Sequence, residues 1–211
     1  MESAGEHLRA PPLWERGGGS AVGRFLRTSV EVLFRPTRFY RNFATRQPAG
    51  ASRWFGRVHL GLASVLIGAA AAVHFLWMWR MTPLGVWPSR DLGVGMLALV
   101  PVMSVAVYLF IYWTTRLAAR LTNWEATYWG LRLPLGVVLR GLDYHTVHYL
   151  PVAVVAAGTV IGYQVMLGRG MAGPFSAQKY LYVLSGEIVL SAGYLFQTYW
   201  IGMRNMMYAN R

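Results

Sequence analysis

The sequence predicts an all-α integral membrane protein with four transmembrane helices and one or two cytoplasmic interfacial amphipathic helices. Hydrophobic residues make up 55% of the 211-residue chain and charged residues only 13%, whereas roughly a quarter of the residues in soluble domains are charged. The apolar residues fall into four runs, each long enough to cross a hydrocarbon core of about 30 Å. The basic residues lie between these runs. The net charge of +12 therefore indicates a membrane surface as the partner, and we expect no nucleic acid.

The chain begins with a polar stretch, residues 1–20, which is predicted to be a disordered leader ending in the flexible sequence "RGGGS". Residues 21–57 follow as a basic amphipathic interfacial segment. Within it, "SAVGRFLRTSVEVLFRP" places apolar side chains along one stripe of a helix that should end at Pro36. The residues of this stripe are Val22, Leu26, Val30 and Leu33.

The arginines of the interfacial segment are expected to contact anionic lipids. A basic amphipathic helix lies in the headgroup plane, with its apolar stripe towards the acyl chains and its cations near the phosphates. A soluble helix packed on a protein partner is the alternative. The expected lipid contacts are Arg24, Arg27, Arg35, Arg38 and Arg41.

The four apolar runs define a membrane domain over residues 58–201, followed by a cytoplasmic tail at residues 202–211. Pro101 lies inside the second run. Neighbouring groups in a membrane protein can satisfy the carbonyl that a proline frees, so we expect a kink there and not a break. The four predicted spans are residues 58–79, 92–113, 148–167 and 180–201.

The segment between the second and third spans is too apolar for open solvent and too rich in arginine to cross the membrane. Aromatic and leucine side chains recur along it at helical spacing. We therefore expect a second interfacial or re-entrant helix over residues 116–142, bent at Pro134 and Gly136. The recurring side chains are Trp124, Tyr128, Leu131 and Leu135.

The positions of the basic residues predict the orientation of the chain. Sixteen of them lie in residues 1–57, 114–147 and 202–211, whereas the two opposite loops contain four. Because loops rich in Arg and Lys stay in the cytoplasm, both termini are expected there. Nineteen of the twenty basic residues are arginine, which suggests a GC-rich bacterial genome and hence a bacterial inner membrane.

Three of the polar residues inside the predicted spans lie on three different helices at similar depth. They are His74, Gln164 and Glu187. A carboxylate in hydrocarbon needs a partner or a proton. We expect an intramembrane hydrogen-bonded cluster that joins the helices, with a proton or ligand pathway and a lone protonated glutamate as the alternatives.

Three histidines lie near the predicted cytoplasmic ends of the spans: His59, His145 and His148. Two imidazoles one helical turn apart can face the same ion, so a haem or metal site is one interpretation. The other is that they anchor the helices at the interface, with an apolar body and a polar tip. We favour anchoring, and we expect no metal and no cofactor.

The order of features resembles bacterial members of the Yip family, the Ypt/Rab-interacting polytopic membrane proteins. The resemblance lies in "LFRPTRFYRNF" before the first span and "RLAARLTNWEATYWGLRLPLGVVLRGLDYHTVHYLP" after the second. It extends over residues 33–167. Members usually have one span more than the four predicted for this chain. The resemblance implies a membrane scaffold and assigns no catalytic residue.

The sequence lacks the patterns of common catalytic sites, such as HExxH, a phosphate loop or a nucleophile elbow, and it has no cysteine. The function predicted is therefore a non-enzymatic membrane scaffold or membrane-organising protein, with other membrane proteins or a second copy of the chain as partners. One alternative is an accessory haem- or quinone-associated subunit of a respiratory or photosynthetic complex. Another is a small transporter that works through His74 and Glu187.

Overall fold

A computed structural model describes residues 11–43, 50–81, 91–131, 133–171, 173 and 176–209. Helices account for 89% of these residues, and no strand occurs among them. The helices are α1 (Ala21–Phe34), α2 (Pro36–Arg41), α3 (Gly50–Met81), α4 (Asp91–Tyr128), α5 (Leu135–His145), α6 (Tyr149–Gly168) and α7 (Ser176–Ala209). Two 3₁₀ turns, Leu13–Glu15 and Thr146–His148, complete the secondary structure of the described residues.

Three helical stretches in the described part of the chain are long and apolar enough to cross a membrane: Gly50–Trp79, Ala98–Tyr128 and Leu135–Gly168. They overlap the first three predicted spans, which confirms an all-helical fold with helices that could span a membrane. The fourth predicted span lies within α7, a single helix of 34 residues. It is not among the three stretches, since polar residues such as Glu187 and Gln197 interrupt its apolar side chains, and a count of four spans stays a prediction.

The helix ends follow from local sequence. The Ser20 side chain caps α1 by accepting a hydrogen bond from the backbone N–H of Gly23 at 3.4 Å. Pro36 occupies the first turn of α2, where its missing N–H costs nothing. The helix α4 ends at Tyr128, two residues before Gly130, which has φ +68°. The N–H groups of Gly130 and Leu131 bond there to the carbonyls of Thr127 and Ala126, as in a Schellman motif.

The predicted loop helix over residues 116–142 is wrong in its bounds. Residues 116–128 instead continue α4, which runs through Pro101 without interruption for 38 residues. The Gly130 turn and Pro134 then separate α4 from α5. No helix-breaking residue lies between Trp113 and Tyr128, so the backbone hydrogen bonds continue well past the apolar run that defined the predicted span.

Part of the predicted disordered leader is ordered. Leu13–Glu15 form a 3₁₀ turn, and the indole Nε1 of Trp14 donates a hydrogen bond to the carbonyl of Ala51 at 2.6 Å. The Trp14 ring also contacts Phe25 and Phe55. The prediction failed because the partners of this turn lie far along the chain. Residues 1–10 lie outside the described residues.

The chain divides into two compact units. The first comprises residues 1–59, 112–148 and 194–211, and the second comprises residues 60–111 and 149–193. The core of the first unit surrounds α5 and includes aromatic side chains from α2 and the segment after it, Phe39, Tyr40 and Phe43. Burial raises the pKa of Tyr40, so its hydroxyl stays protonated and donates to the Gly141 carbonyl at 3.2 Å.

The second unit has a smaller core, built from aromatic and small side chains of α3, α6 and α7. Its buried members are Ala70, Trp77, Ala157, Val160, Tyr163 and Tyr180. A close approach of α3 and α4 also lies in this unit, because a Cβ added to Gly68 would come within 2.5 Å of the Ser104 backbone. Small residues permit such contacts between membrane helices.

Candidate functional site

The helix α1 has an exposed apolar stripe. Val22 is 67% exposed, Leu26 56%, Val30 55% and Phe34 78%. Leu33, the remaining member of the predicted stripe, is partly buried. The buried residues of α1 are Thr28, Ser29 and Val32. The helix therefore turns a partly polar face to the protein and most of its apolar stripe away from it, the reverse of a helix on a soluble protein.

Polar contacts hold α1 in this orientation. The Ser29 hydroxyl hydrogen-bonds with His59 Nε2 at 3.0 Å, and the backbone N–H of Trp14 donates to the Thr28 hydroxyl at 3.0 Å. The Phe25 ring stacks on the His59 imidazole, with centroids 4.5 Å apart. Because these contacts involve the buried face, the apolar stripe is left exposed by the fold itself.

The five arginines expected to contact anionic lipids lie in different settings. Arg27, Arg35 and Arg38 are exposed. Arg24 donates to the Gly18 carbonyl, and Arg41 Nε donates to the Asn205 side chain at 2.9 Å. Four of the five arginines are thus exposed, Arg41 among them, and Arg24 and Arg41 take part in bonds within the protein.

A buried ion pair, which the sequence pattern did not predict, joins the N-terminal turn Leu13–Glu15 to α5. The Arg140 and Glu15 side chains are 2% and 4% exposed. Arg140 Nε donates to Glu15 Oε1 at 2.9 Å, and the Tyr144 hydroxyl donates to the same oxygen at 2.7 Å. The guanidinium also lies over the Phe43 ring, 4.6 Å from its centroid.

One signal in the sequence points to this pair. Val137, Arg140 and Tyr144 recur three and four residues apart, so they share one face of α5. An arginine on the face that carries apolar residues requires an anionic partner when that face is buried. Nothing in the local pattern identifies Glu15 as that partner.

The structure brings two of the three predicted histidines together. The rings of His145 and His148 have centroids 5.0 Å apart. His145 Nε2 hydrogen-bonds with the Thr198 hydroxyl at 3.1 Å, and His148 Nδ1 with the Tyr194 hydroxyl at 2.8 Å. Both histidines thereby attach the α5–α6 segment to α7.

His59 makes separate contacts. Its two ring nitrogens hydrogen-bond with the Ser29 hydroxyl and with the Phe55 carbonyl, each at 3.0 Å. Neither nitrogen is therefore open to a ligand in this arrangement. Among the described residues, no group of three or more His, Asp or Glu side chains is spaced to hold a metal ion.

The intramembrane cluster has different contacts from those expected. His74 Nδ1 hydrogen-bonds with the Tyr180 hydroxyl at 2.8 Å. Gln164 Nε2 and Glu187 Oε2 are shielded from solvent, and neither has a hydrogen-bond partner within the described residues. His74 thus bonds to Tyr180, which was not one of the three residues predicted for the cluster.

Tyr180 is also the centre of an aromatic group in the second unit. Its ring stacks on Tyr163, with centroids 4.0 Å apart and planes 7° from parallel. The Trp77 ring packs edge-on against both tyrosines. Stacked and edge-on aromatic pairs contribute about 0.5–1.5 kcal/mol each beyond their buried area, so this group fixes α3, α6 and α7 of the unit together.

The described part of the chain is all-helical and contains three helical stretches long and apolar enough to cross a membrane. Comparison with protein-family models, with characterised proteins and with solved structures gives no significant match.

Proposed function

We infer that the protein is a non-enzymatic integral membrane scaffold or membrane-organising protein, inserted in a bacterial inner membrane with four spans and both termini in the cytoplasm. The observation that carries this proposal is the exposed apolar stripe of α1, held outward by bonds on the opposite face. The order of features along the chain resembles that of the Yip family, and this resemblance supports the same class of function.

The stripe needs an apolar environment. Covering a side chain such as Leu26 or Phe34 is favourable by roughly 1.5–3 kcal/mol relative to water, and these two are 56% and 78% exposed. Arg27 and Arg35 are exposed on the same helix and its C-cap. An apolar stripe beside basic side chains matches a helix in the headgroup plane of anionic lipids.

The fourth span is supported by the exposure of α7. Ile188, Val189 and Leu190 are consecutive residues that point to different sides of the helix, and they are 63%, 71% and 74% exposed. A helix with apolar side chains exposed around its circumference is typical of contact with lipid. The orientation with cytoplasmic termini is supported by the distribution of basic residues.

The polar side chains of the first unit support a structural role. Ser29 bonds to His59, Arg140 to Glu15, and His145 to Thr198. Each of these bonds joins residues distant in the chain, and each fixes a helix against another helix or against the Leu13–Glu15 turn. A scaffold requires such rigidity because its partners recognise a fixed surface.

Site-directed spin labelling tests the position of α1. The chain contains no cysteine, so a single introduced cysteine carries the only label. We expect a nitroxide at Leu26→Cys, in the full protein reconstituted in anionic vesicles, to be accessible to oxygen and protected from a water-soluble nickel complex. The adjacent Arg27→Cys is the matched control and should show the opposite preference. Equal access of the nickel complex to both labels would refute the interfacial location.

Photo-crosslinking in native membranes tests the scaffold role. A photoreactive residue at Val189, which is 71% exposed, should yield discrete adducts with membrane proteins or with a second copy of the chain. A photoreactive residue at the buried position Val160 serves as the control. Only lipid adducts at exposed positions along α7 would argue against a scaffold.

A further inference from the structure

Four arginines line a cavity of about 410 Å³ in the first unit. Arg53 and Arg57 come from α3, and Arg116 and Arg120 come from α4. The remaining lining residues are Tyr112, Trp113, Leu135 and Leu139. The cavity therefore combines a strongly basic wall with aromatic and aliphatic side chains.

Within the described residues, no ion pair compensates the four positive charges. On each helix the two arginines are four residues apart, a spacing at which like charges are mutually destabilising. None of the four guanidinium groups forms an ion pair or hydrogen bond with another described residue. Their contacts with rings are Arg57 over Trp54 at 5.6 Å and Arg116 over Tyr112 at 5.0 Å.

One carboxylate acts on this cavity. Asp143, which accepts a hydrogen bond from the Ser52 hydroxyl at 3.0 Å, interacts electrostatically with Arg53, Arg57 and Arg116. Among the described groups that surround the cavity, the four positive charges outweigh this carboxylate. An anion in the cavity would relieve the repulsion.

The chemistry of the wall favours a phosphate. The planar guanidinium group binds phosphate oxygens through two parallel hydrogen bonds. The arginines also lie at the ends of apolar runs, since Arg57 directly precedes the run 58–79 and Arg116 follows the run 92–113. Basic pockets between membrane helices at such positions accommodate lipid headgroups.

The apolar part of the cavity favours a lipid over free phosphate. Trp113 is 64% exposed and Leu135 37%, so both can cover the glycerol and the first carbons of an acyl chain. We propose that this cavity binds the phosphodiester headgroup of an anionic phospholipid and prefers a lipid that carries two phosphates. The proposal rests on the membrane location given above and is independent of the scaffold role.

Lipid titration of the full protein in detergent tests the proposal. The probes are diphosphatidylglycerol, phosphatidylglycerol, phosphatidylcholine and inorganic phosphate. We expect native mass spectrometry to retain one diphosphatidylglycerol per chain, and thermal unfolding to shift upwards most with this lipid. Equal retention of phosphatidylcholine would overturn the proposal, and stabilisation by inorganic phosphate as large as that by lipid would overturn the assignment to a lipid.

Two double variants distinguish lipid binding in the cavity from a general effect of net charge on lipid retention. Arg116→Gln with Arg120→Gln should weaken retention of diphosphatidylglycerol at least about tenfold, since each arginine near an anionic surface contributes about 1 kcal/mol. Arg169→Gln with Lys179→Gln removes the same charge from exposed positions in the other unit and should leave retention unchanged. An equal loss in both variants would show that net charge alone binds the lipid.

A conservative variant tests whether a loss of lipid retention in the glutamine variant results from misfolding. Arg116→Lys with Arg120→Lys keeps the charge and removes the paired hydrogen bonds, so we expect an intermediate affinity. Wild-type affinity in both the glutamine and the lysine variants would refute the site. Because retention is measured in detergent, its outcome is independent of the spin-label result for α1.

Discussion

Arg140 and Glu15 lie 125 residues apart in the chain and form an ion pair in which both side chains are almost fully buried. The pair attaches the N-terminal turn to α5. Tyr144 donates to the same carboxylate, and Phe43 covers the guanidinium. The turn before α1 is therefore part of the core of the first unit.

Replacing Glu15 by glutamine should destabilise the protein strongly. The change leaves Arg140 buried without its counter-charge, a situation that costs about 3–5 kcal/mol in proteins. Adding Arg140→Met removes the stranded charge and should restore a large part of the stability. The measurement is thermal unfolding in detergent, followed by tryptophan fluorescence.

Glu31→Gln provides the control for this experiment. Glu31 lies on α1 and is only partly buried, so its replacement should change the stability by less than about 0.5 kcal/mol. Equal stability of the Glu15 and Glu31 variants would contradict the buried pair.

Replacing Gly68 by alanine should destabilise the second unit. The new Cβ would lie 2.5 Å from the Ser104 backbone, and because backbone cannot move aside cheaply, we expect a cost of about 1–3 kcal/mol. Gly61→Ala is the matched control on the same helix, since a Cβ there meets nothing within 4 Å. Unchanged thermal stability of the Gly68 variant would show that α3 and α4 do not approach closely.

His74 should be coupled to Tyr180 and not to Glu187. The hydrogen bond between His74 Nδ1 and the Tyr180 hydroxyl measures 2.8 Å. A double-mutant cycle with His74→Leu and Tyr180→Phe should give a coupling of about 0.6 kcal/mol, the average between polar side chains of membrane helices. The cycle with His74→Leu and Glu187→Leu should be additive, and a larger coupling in this second cycle would restore the pair inferred from sequence.

Reporter fusions should place residue 130 inside the cell and residues 85 and 173 outside. The expectation follows from sixteen basic residues in the segments assigned to the cytoplasm against four in the opposite loops. Fusions with a periplasm-active and a cytoplasm-active reporter at each position supply the measurement. A periplasmic signal at residue 130 would contradict both the orientation and the expected number of spans.

Much of the helical architecture could be predicted from the sequence, because it depends on local properties. Apolar runs of about 20 residues predict membrane-spanning helices, and the described residues contain three helical stretches that could cross a membrane. The stop before α2 at Pro36 was also predictable, since proline cannot continue a helix. The predicted bounds 116–142 are wrong because the decline in hydrophobicity after Trp113 does not end the helix, which continues to Tyr128.

The sequence by itself thus determined the all-helical architecture and the apolar helices that could cross a membrane, since hydrophobicity acts over a few turns of chain. Only the tertiary structure decided which polar groups meet. Glu15 pairs with Arg140, and His74 with Tyr180, across separations of 125 and 106 residues. The tertiary structure also decided that the four arginines of α3 and α4 line one cavity. A pattern of hydrophobicity specifies which face of a helix avoids water but carries no information about the distant residue that will lie against it.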